Sequence, residues 1–324
     1  MGPNQDRVLN PDRIIDPDRI INGKDAEHGS WPWIVGFTEN GQRVCAGTII
    51  HDRWILSAEH CFPQHIAKEG TVMSVEDFPA IGWTKLFFGD HNKRREEDSE
   101  FFLTPQKLVF RSNRSPNGRT RDTTAADIVL IQVESITNFM RQNKVASFPD
   151  VGAYVKPACL PNPDDFPEQQ NDHFAGKHCW IAGWGYTRFG ETWWGMGGSK
   201  LASIVQEAGI NVFSNDYCVA HSHMTAADNQ SEVTSSAQLQ TYNEFCAGVP
   251  DNNNDGKTDG DIDACSGDSG GPLICDVDGS PVLVGITSRG KGCAMEDNPG
   301  KTILYLWPSG FRYLILTKLK RVHI

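Results

Sequence analysis

Nine cysteines stand at positions 45, 61, 159, 179, 218, 246, 265, 275 and 293, spread widely with no Cys-x-x-Cys pair. Zinc ribbons and redox sites require that close spacing, so metal binding is the weaker reading. The other reading is four disulfides and one odd thiol, which confines the chain to an oxidising compartment. The first residues, Met1 to Arg7, contain no apolar signal-peptide core. Either a signal was removed upstream or the chain is a piece of a larger precursor.

At 324 residues the chain is long enough to bury a sizeable core. Its 41 acidic residues exceed its 30 basic ones, giving a formal charge of −11, which argues against nucleic-acid and anionic-membrane partners. No uninterrupted apolar run reaches the roughly 18 residues of a membrane span.

Residues 1–19 are polar and read as a lead segment. They hold most of a tandem repeat, Asn10-Pro11-Asp12-Arg13-Ile14-Ile15 and Asp16-Pro17-Asp18-Arg19-Ile20-Ile21. From Trp33 onward the text changes to short runs rich in Val, Ile, Leu and Trp: 33–37, 44–50, 54–57, 86–88, 128–133, 179–183, 204–213, 272–275 and 282–288. Clusters of Gly, Asn, Asp and Pro separate them, which predicts an all-β sandwich or pair of barrels. A helix is expected at the C-terminus, where Phe311, Leu314, Ile315, Leu319 and Val322 share a face and Lys318, Lys320 and Arg321 suit the helix dipole. Polar stretches around 111–124, 161–177 and 219–244 read as long surface loops.

Three segments carry chemistry. Asp263-Ala264-Cys265-Ser266-Gly267-Asp268-Ser269-Gly270-Gly271-Pro272 sets a serine among glycines, where the backbone turns tightly and a carbonyl can approach main-chain N–H groups. Ile55-Leu56-Ser57-Ala58-Glu59-His60-Cys61 ends an apolar strand in a histidine. Ala126-Asp127-Ile128-Val129-Leu130-Ile131 heads a buried-looking strand with a carboxylate. Burying that aspartate is costly unless it is paired, and a histidine is a suitable partner.

In this order, with Trp31-Pro32-Trp33 and Cys179-Trp180-Ile181-Ala182-Gly183-Trp184-Gly185, the segments resemble the trypsin-like serine proteases of the chymotrypsin fold, over roughly residues 20–300. The resemblance implies two packed six-stranded antiparallel β-barrels with a C-terminal α-helix, a lead or activation segment at 1–19 and a peptidase domain at 20–324. It implies His60 as general base, Asp127 as its orienting carboxylate and Ser269 as nucleophile, with an oxyanion hole from the N–H groups of Gly267 and Ser269. It pairs Cys45 with Cys61, Cys179 with Cys275, Cys218 with Cys246 and Cys265 with Cys293. Cys159 is left free, bonded to another chain, or waiting for an upstream segment.

The same resemblance implies a secreted zymogen. Cleavage after Arg19 would release the Ile20 amine to pair with Asp268. Asp263 would lie at the base of the primary pocket, kept open by Gly290 and Gly300, and a carboxylate there selects Arg or Lys. Peptides and proteins with Arg or Lys before the cleaved bond are the expected substrates, and protein inhibitors are expected partners. Ser288-Arg289-Gly290 departs from the pattern, carrying arginine where the family usually has tryptophan. Arg289 would then either attract acidic side chains or fold across the pocket onto Asp263. Lys301-Thr302-Ile303-Leu304 departs as well, lacking the expected Val-Tyr. The alternative function is a non-catalytic homologue acting as a binding module.

No cofactor is required, but structural calcium is an expectation at one of two candidate loops. Asp90, Asn92, Arg95, Glu97 and Glu100 resemble the calcium loop of trypsins, with carboxylates and main-chain carbonyls as hard ligands. Residues 251–261 begin like an EF-hand loop, yet position twelve is Ile262 rather than glutamate, so an ordinary Asn/Asp/Gly loop is the stronger reading there.

Overall fold

The computed structural model describes residues 20, 23–39, 42–62, 72–74, 84–110, 127–145, 154–161, 174–187, 201–221, 244–251, 262–290, 293 and 302–305. The lead segment with Arg19, the Gly300 position, residues 252–261 and the expected C-terminal helix lie outside them.

In chain order the strands are β1 (Lys24–Asp25), β2 (Ile34–Glu39), β3 (Gln42–His51), β4 (Trp54–Ser57), β5 (Val72–Ser74), β6 (Lys85–Phe88), β7 (Phe101–Leu103) and β8 (Lys107–Phe110). They continue with β9 (Val129–Gln132), β10 (His178–Gly183), β11 (Gln206–Val212), β12 (Glu244–Gly248), β13 (Pro272–Val277), β14 (Ser280–Arg289) and β15 (Thr302–Tyr305). They form two antiparallel sheets. One runs β5-β8-β9-β4-β3-β2-β6-β7, and the other runs β1-β11-β10-β13-β14-β15-β12. In the second sheet β12 also pairs with β11, Asn211 opposite Gly248 and Val212 opposite Ala247, which closes six strands into a barrel with β1 appended.

Patterning explains the strands. Along β11, buried Gln206, Ala208, Ile210 and Val212 alternate with partly exposed Glu207, Gly209 and Asn211, as a strand with one face on a core requires. In β4, which lies between β3 and β9, all four residues are buried, so both faces of this central strand are covered. Val35, Phe37, Ile49, Ile55, Leu86, Phe88 and Ile131 fill the first core. Ile181, Ile210, Phe245, Leu273, Cys275 and Val284 fill the second, joined by Ile20, which is 1% exposed.

The two sheets are laced together. Ala158 N–H donates to Ile49 O on β3, while Leu283 N–H on β14 donates to Cys159 O, so the 154–161 segment straps one sheet to the other. Disulfides join Cys45 to Cys61, Cys179 to Cys275, Cys218 to Cys246 and Cys265 to Cys293. Each contributes about 2–4 kcal/mol by constraining the unfolded chain. Cys159 is a free, exposed thiol.

Among the described residues two α-helices accompany the strands: α1 (Ile136–Asn143) and α2 (Asn215–His221). The start of α1 is tied to the β3–β4 turn. Ser135 Oγ accepts the Asn138 N–H at 3.1 Å and donates to Asp52 at 2.6 Å, and Asp52 also accepts the Thr137 N–H at 2.8 Å. Burial pushes the Asp52 carboxyl up, but the bonds from Ser135 and Thr137 outweigh it and hold it below its ordinary value. A carboxylate shifted down stabilises the fold above its unfolded pKa, and that contribution disappears as pH falls through the lowered value. Asp52→Ala is therefore expected to cost about 1–2 kcal/mol at neutral pH, measured by urea unfolding. The two proteins should converge in strong acid, and equal stability at neutral pH would contradict this role.

Candidate active site

Asp127 stands just before β9, with its side chain 16% exposed. Three donors converge on it. His60 N–H reaches Oδ1 at 2.8 Å, His60 Nδ1 reaches Oδ2 at 2.7 Å, and Ser288 Oγ reaches Oδ2 at 2.7 Å. Burial pushes the Asp127 carboxyl up. The hydrogen bond and charge of His60 and the hydroxyl of Ser288 overcome that and hold it below the ordinary aspartate value. An ionised carboxylate only accepts, so the Nδ1 that faces it carries the proton and Nε2 is left as the basic nitrogen.

His60 is placed by its own backbone. β4 ends at Ser57, and a single 3-10 turn, Glu59–Cys61, follows it. Glu59 N–H donates to Asp127 O at 3.2 Å, and Cys61 is bonded to Cys45 on β3. The histidine ring is 38% exposed.

Ser269 lies on the loop before β13, half-buried. Its carbonyl accepts the Ala46 N–H of β3 at 2.8 Å, which ties the loop of the second sheet to the first. Gly270 allows this approach: its φ is +80°, and a Cβ there would strike Ser57 Oγ and Ala46 O. Gly267 has a φ of +100°. Neither Gly267 N–H nor Ser269 N–H has an acceptor among the described residues.

Between them, Asp268 is 2% exposed. Its carboxylate accepts the N–H of Gly185 at 2.7 Å and of Cys265 at 2.9 Å. Ile20 is buried in the second core at a φ of +36°, an unusual conformation for a β-branched residue. Asp263 is 6% exposed, two residues before the Cys265–Cys293 disulfide. Ser288 is buried and Gly290 is exposed at the end of β14.

Arg289 does not pair with Asp263 in this structure. Its Nη2 donates to both carboxylate oxygens of Glu244 at 2.6 Å. Sequence reasoning missed Glu244, assigning 219–244 to a surface loop, whereas Glu244 opens β12 and its side chain is 1% exposed. The available signal was that Glu244 and Arg289 are each the lone charged residue of a largely apolar segment.

The 90–100 loop closes on itself. Glu97 Oε2 accepts the N–H of His91 at 2.6 Å and of Asn92 at 3.2 Å, and the Asn92 carbonyl accepts the Arg95 N–H. His28 Nε2 lies 3.9 Å from the same Glu97 oxygen. Asp90, Glu97 and Glu100 are not gathered into a ligand group. Among the described residues the one group close enough to hold a metal is Cys45, Cys61 and His60, and both sulfurs are consumed in a disulfide.

A family model for trypsin matches residues 20–304. The chain belongs to the trypsin family and is a trypsin-like serine protease of the chymotrypsin fold.

The packing of Asp268 gives a direct test of the loop. A Cβ on Gly183 or Gly185 would run into its carboxylate. Gly185→Ala is expected to destabilise the protein by about 1–3 kcal/mol through this overlap, read as a lower urea midpoint. An unchanged midpoint would contradict the close approach.

Proposed function

We propose that this chain is a secreted serine endopeptidase, made as a zymogen, that hydrolyses peptide bonds after Arg or Lys. The observation that carries the reading is the hydrogen bond of His60 Nδ1 to buried Asp127, beside a loop that frames Ser269 with glycines. His60 Nε2 takes the proton of Ser269 Oγ as that oxygen attacks the substrate carbonyl. The N–H groups of Gly267 and Ser269 hold the resulting oxyanion. The tetrahedral adduct expels the amine, which receives the proton from His60, and leaves an acyl-enzyme. Water then repeats the sequence and releases the acid. Asp127, held below the ordinary aspartate value, remains the ionised acceptor that orients His60.

Buried Asp263 supports Arg or Lys selection, with the paired guanidinium favoured over the single ammonium. In the proposed activation, cleavage after Arg19 separates lead residues 1–19 from the peptidase domain and frees the Ile20 amine for Asp268. Four disulfides support an extracellular location. Calcium in the 90–100 loop would be structural, taken by the carboxylates of Asp90, Glu97 and Glu100 and the carbonyls of Asn92 and Arg95, with Glu97 Oε2 still accepting the N–H groups of His91 and Asn92. Cys159, being exposed, is available to bond an upstream segment or another chain.

One experiment tests the reading. The chain is cleaved at Arg19, treated with a fluorophosphonate, and mapped by mass spectrometry. Ser269 is expected to be modified, and uncleaved Arg19→Ala protein is expected to label far more slowly. No label on the cleaved chain would favour the non-catalytic binding module, and equal labelling of the uncleaved variant would remove the zymogen.

A further inference from the structure

Arg289 and Glu244 form a charge pair in the wall beside Asp127. The glutamate is almost wholly buried, and the Arg289 side chain is 21% exposed. Both carboxylate oxygens are spent on one guanidinium nitrogen, and Nε is buried without an acceptor among the described residues. The two strands are not neighbours: β15 runs between them, pairing Leu304 with Glu244 and Thr302 with Arg289. A buried ion pair seldom stabilises a fold more than apolar side chains of the same volume. Stability alone therefore gives no reason for this one.

Its position does. Glu244, to which Arg289 is bonded, feels the charge of Asp127, whose carboxylate also accepts the Ser288 hydroxyl, so the pair stands near the His60 site with part of the Arg289 side chain open. This argument rests on the reading of Ser269 and Asp263 given above. A substrate with its carbonyl at Ser269 and its Arg side chain at Asp263 must lead its preceding residues past this end of β14.

We propose that Arg289 is a specificity-determining residue whose attraction for an acidic side chain just before the cleaved bond is set by Glu244. With Glu244 charged, the guanidinium is neutralised and the wall is indifferent to acids. With Glu244 neutral, Arg289 becomes an uncompensated cation facing the cleft.

The surroundings of Glu244 allow that change near neutrality. Burial pushes its carboxyl up to about 7; Arg289 opposes the shift and the negative charge of Asp127 adds to it. His60 lies behind Asp127. On β11, which also pairs with β12, the titratable residue is Glu207, engaged with Lys24 and Trp31. α2 carries Asp216, Tyr217 and His221 in its sequence, and β15 has Tyr305. A carboxyl shifted up is neutral below its folded value and ionises as pH rises through it, so the cation emerges on acidification.

The test uses the activated protein and paired peptides with Asp or Asn at each of the three positions preceding Arg. The ratio of kcat/KM for Asp over Asn cancels the titration of His60, which both peptides share. From pH 8.5 to pH 6 this ratio should rise about two- to fivefold at one position at least. Glu244→Gln should show the raised ratio at every pH. The double variant Glu244→Gln, Arg289→Gln should show a flat, low one. A flat wild-type ratio at all three positions overturns the proposal, and so does a rise that persists in the double variant. The wild-type profile decides the matter even where a variant does not fold. Fluorophosphonate labelling of Ser269 at the same pH values separates the two readings: labelled protein with a flat ratio sinks this proposal alone, and unlabelled protein sinks both.

Discussion

The carboxylate of Asp127 is the group on which the rest of this arrangement depends. Removing an ion from water costs several kcal/mol, and only donors directed at it recover that cost. Here the donors come from both sheets: two from His60, on the turn that follows β4, and one from Ser288 on β14. Hydrogen bonds to a charged group contribute about 1.5–3 kcal/mol each, so three are enough to keep the anion in place. The interaction that orients the histidine also fastens the two halves of the fold together.

The Ser269 loop follows the same logic. Its serine carbonyl is bonded to Ala46 across the seam, and Gly270 permits the approach because any side chain there would collide with Ser57 and Ala46. Asp268 adds a second buried anion, received by the N–H groups of Gly185 and Cys265 and by the space that Gly183 and Gly185 leave open. Glu244, with Arg289 beside it, is a third. Each is answered by donors in its own way, and Asp127 and Glu244 differ in how firmly they hold their charge. Asp127 is held ionised, whereas Glu244 lies near its point of change.

Much of this was legible from local text. His60, Asp127 and Ser269 each sit in a short segment whose neighbours signal strand or turn, and the family resemblance ordered them. The alternation of β11 and the apolar run of β4 were readable as strands for the same reason. Helix α1 was not, because its start is secured by Asp52, which is more than eighty residues earlier. Glu244 was hidden similarly. Its polar approach looked like loop, and its partner lies two strands away across β15. The calcium expectation came from the resemblance and from ligand types along one loop; that Glu97 Oε2 accepts the His91 and Asn92 N–H groups of that loop needed the fold. Pairings local in sequence or fixed by motif could be read; those made by strand order needed the fold.

The most direct measurement of the central claim is the turnover of Asp127→Asn after cleavage at Arg19, with folding checked by urea unfolding. An amide cannot hold the imidazole in the same tautomer, so kcat should fall on the order of 10⁴, a magnitude carried over from the triad of this family. Folding should survive. A folded variant that keeps kcat within about tenfold of the parent, roughly 1.4 kcal/mol of barrier, would contradict the account.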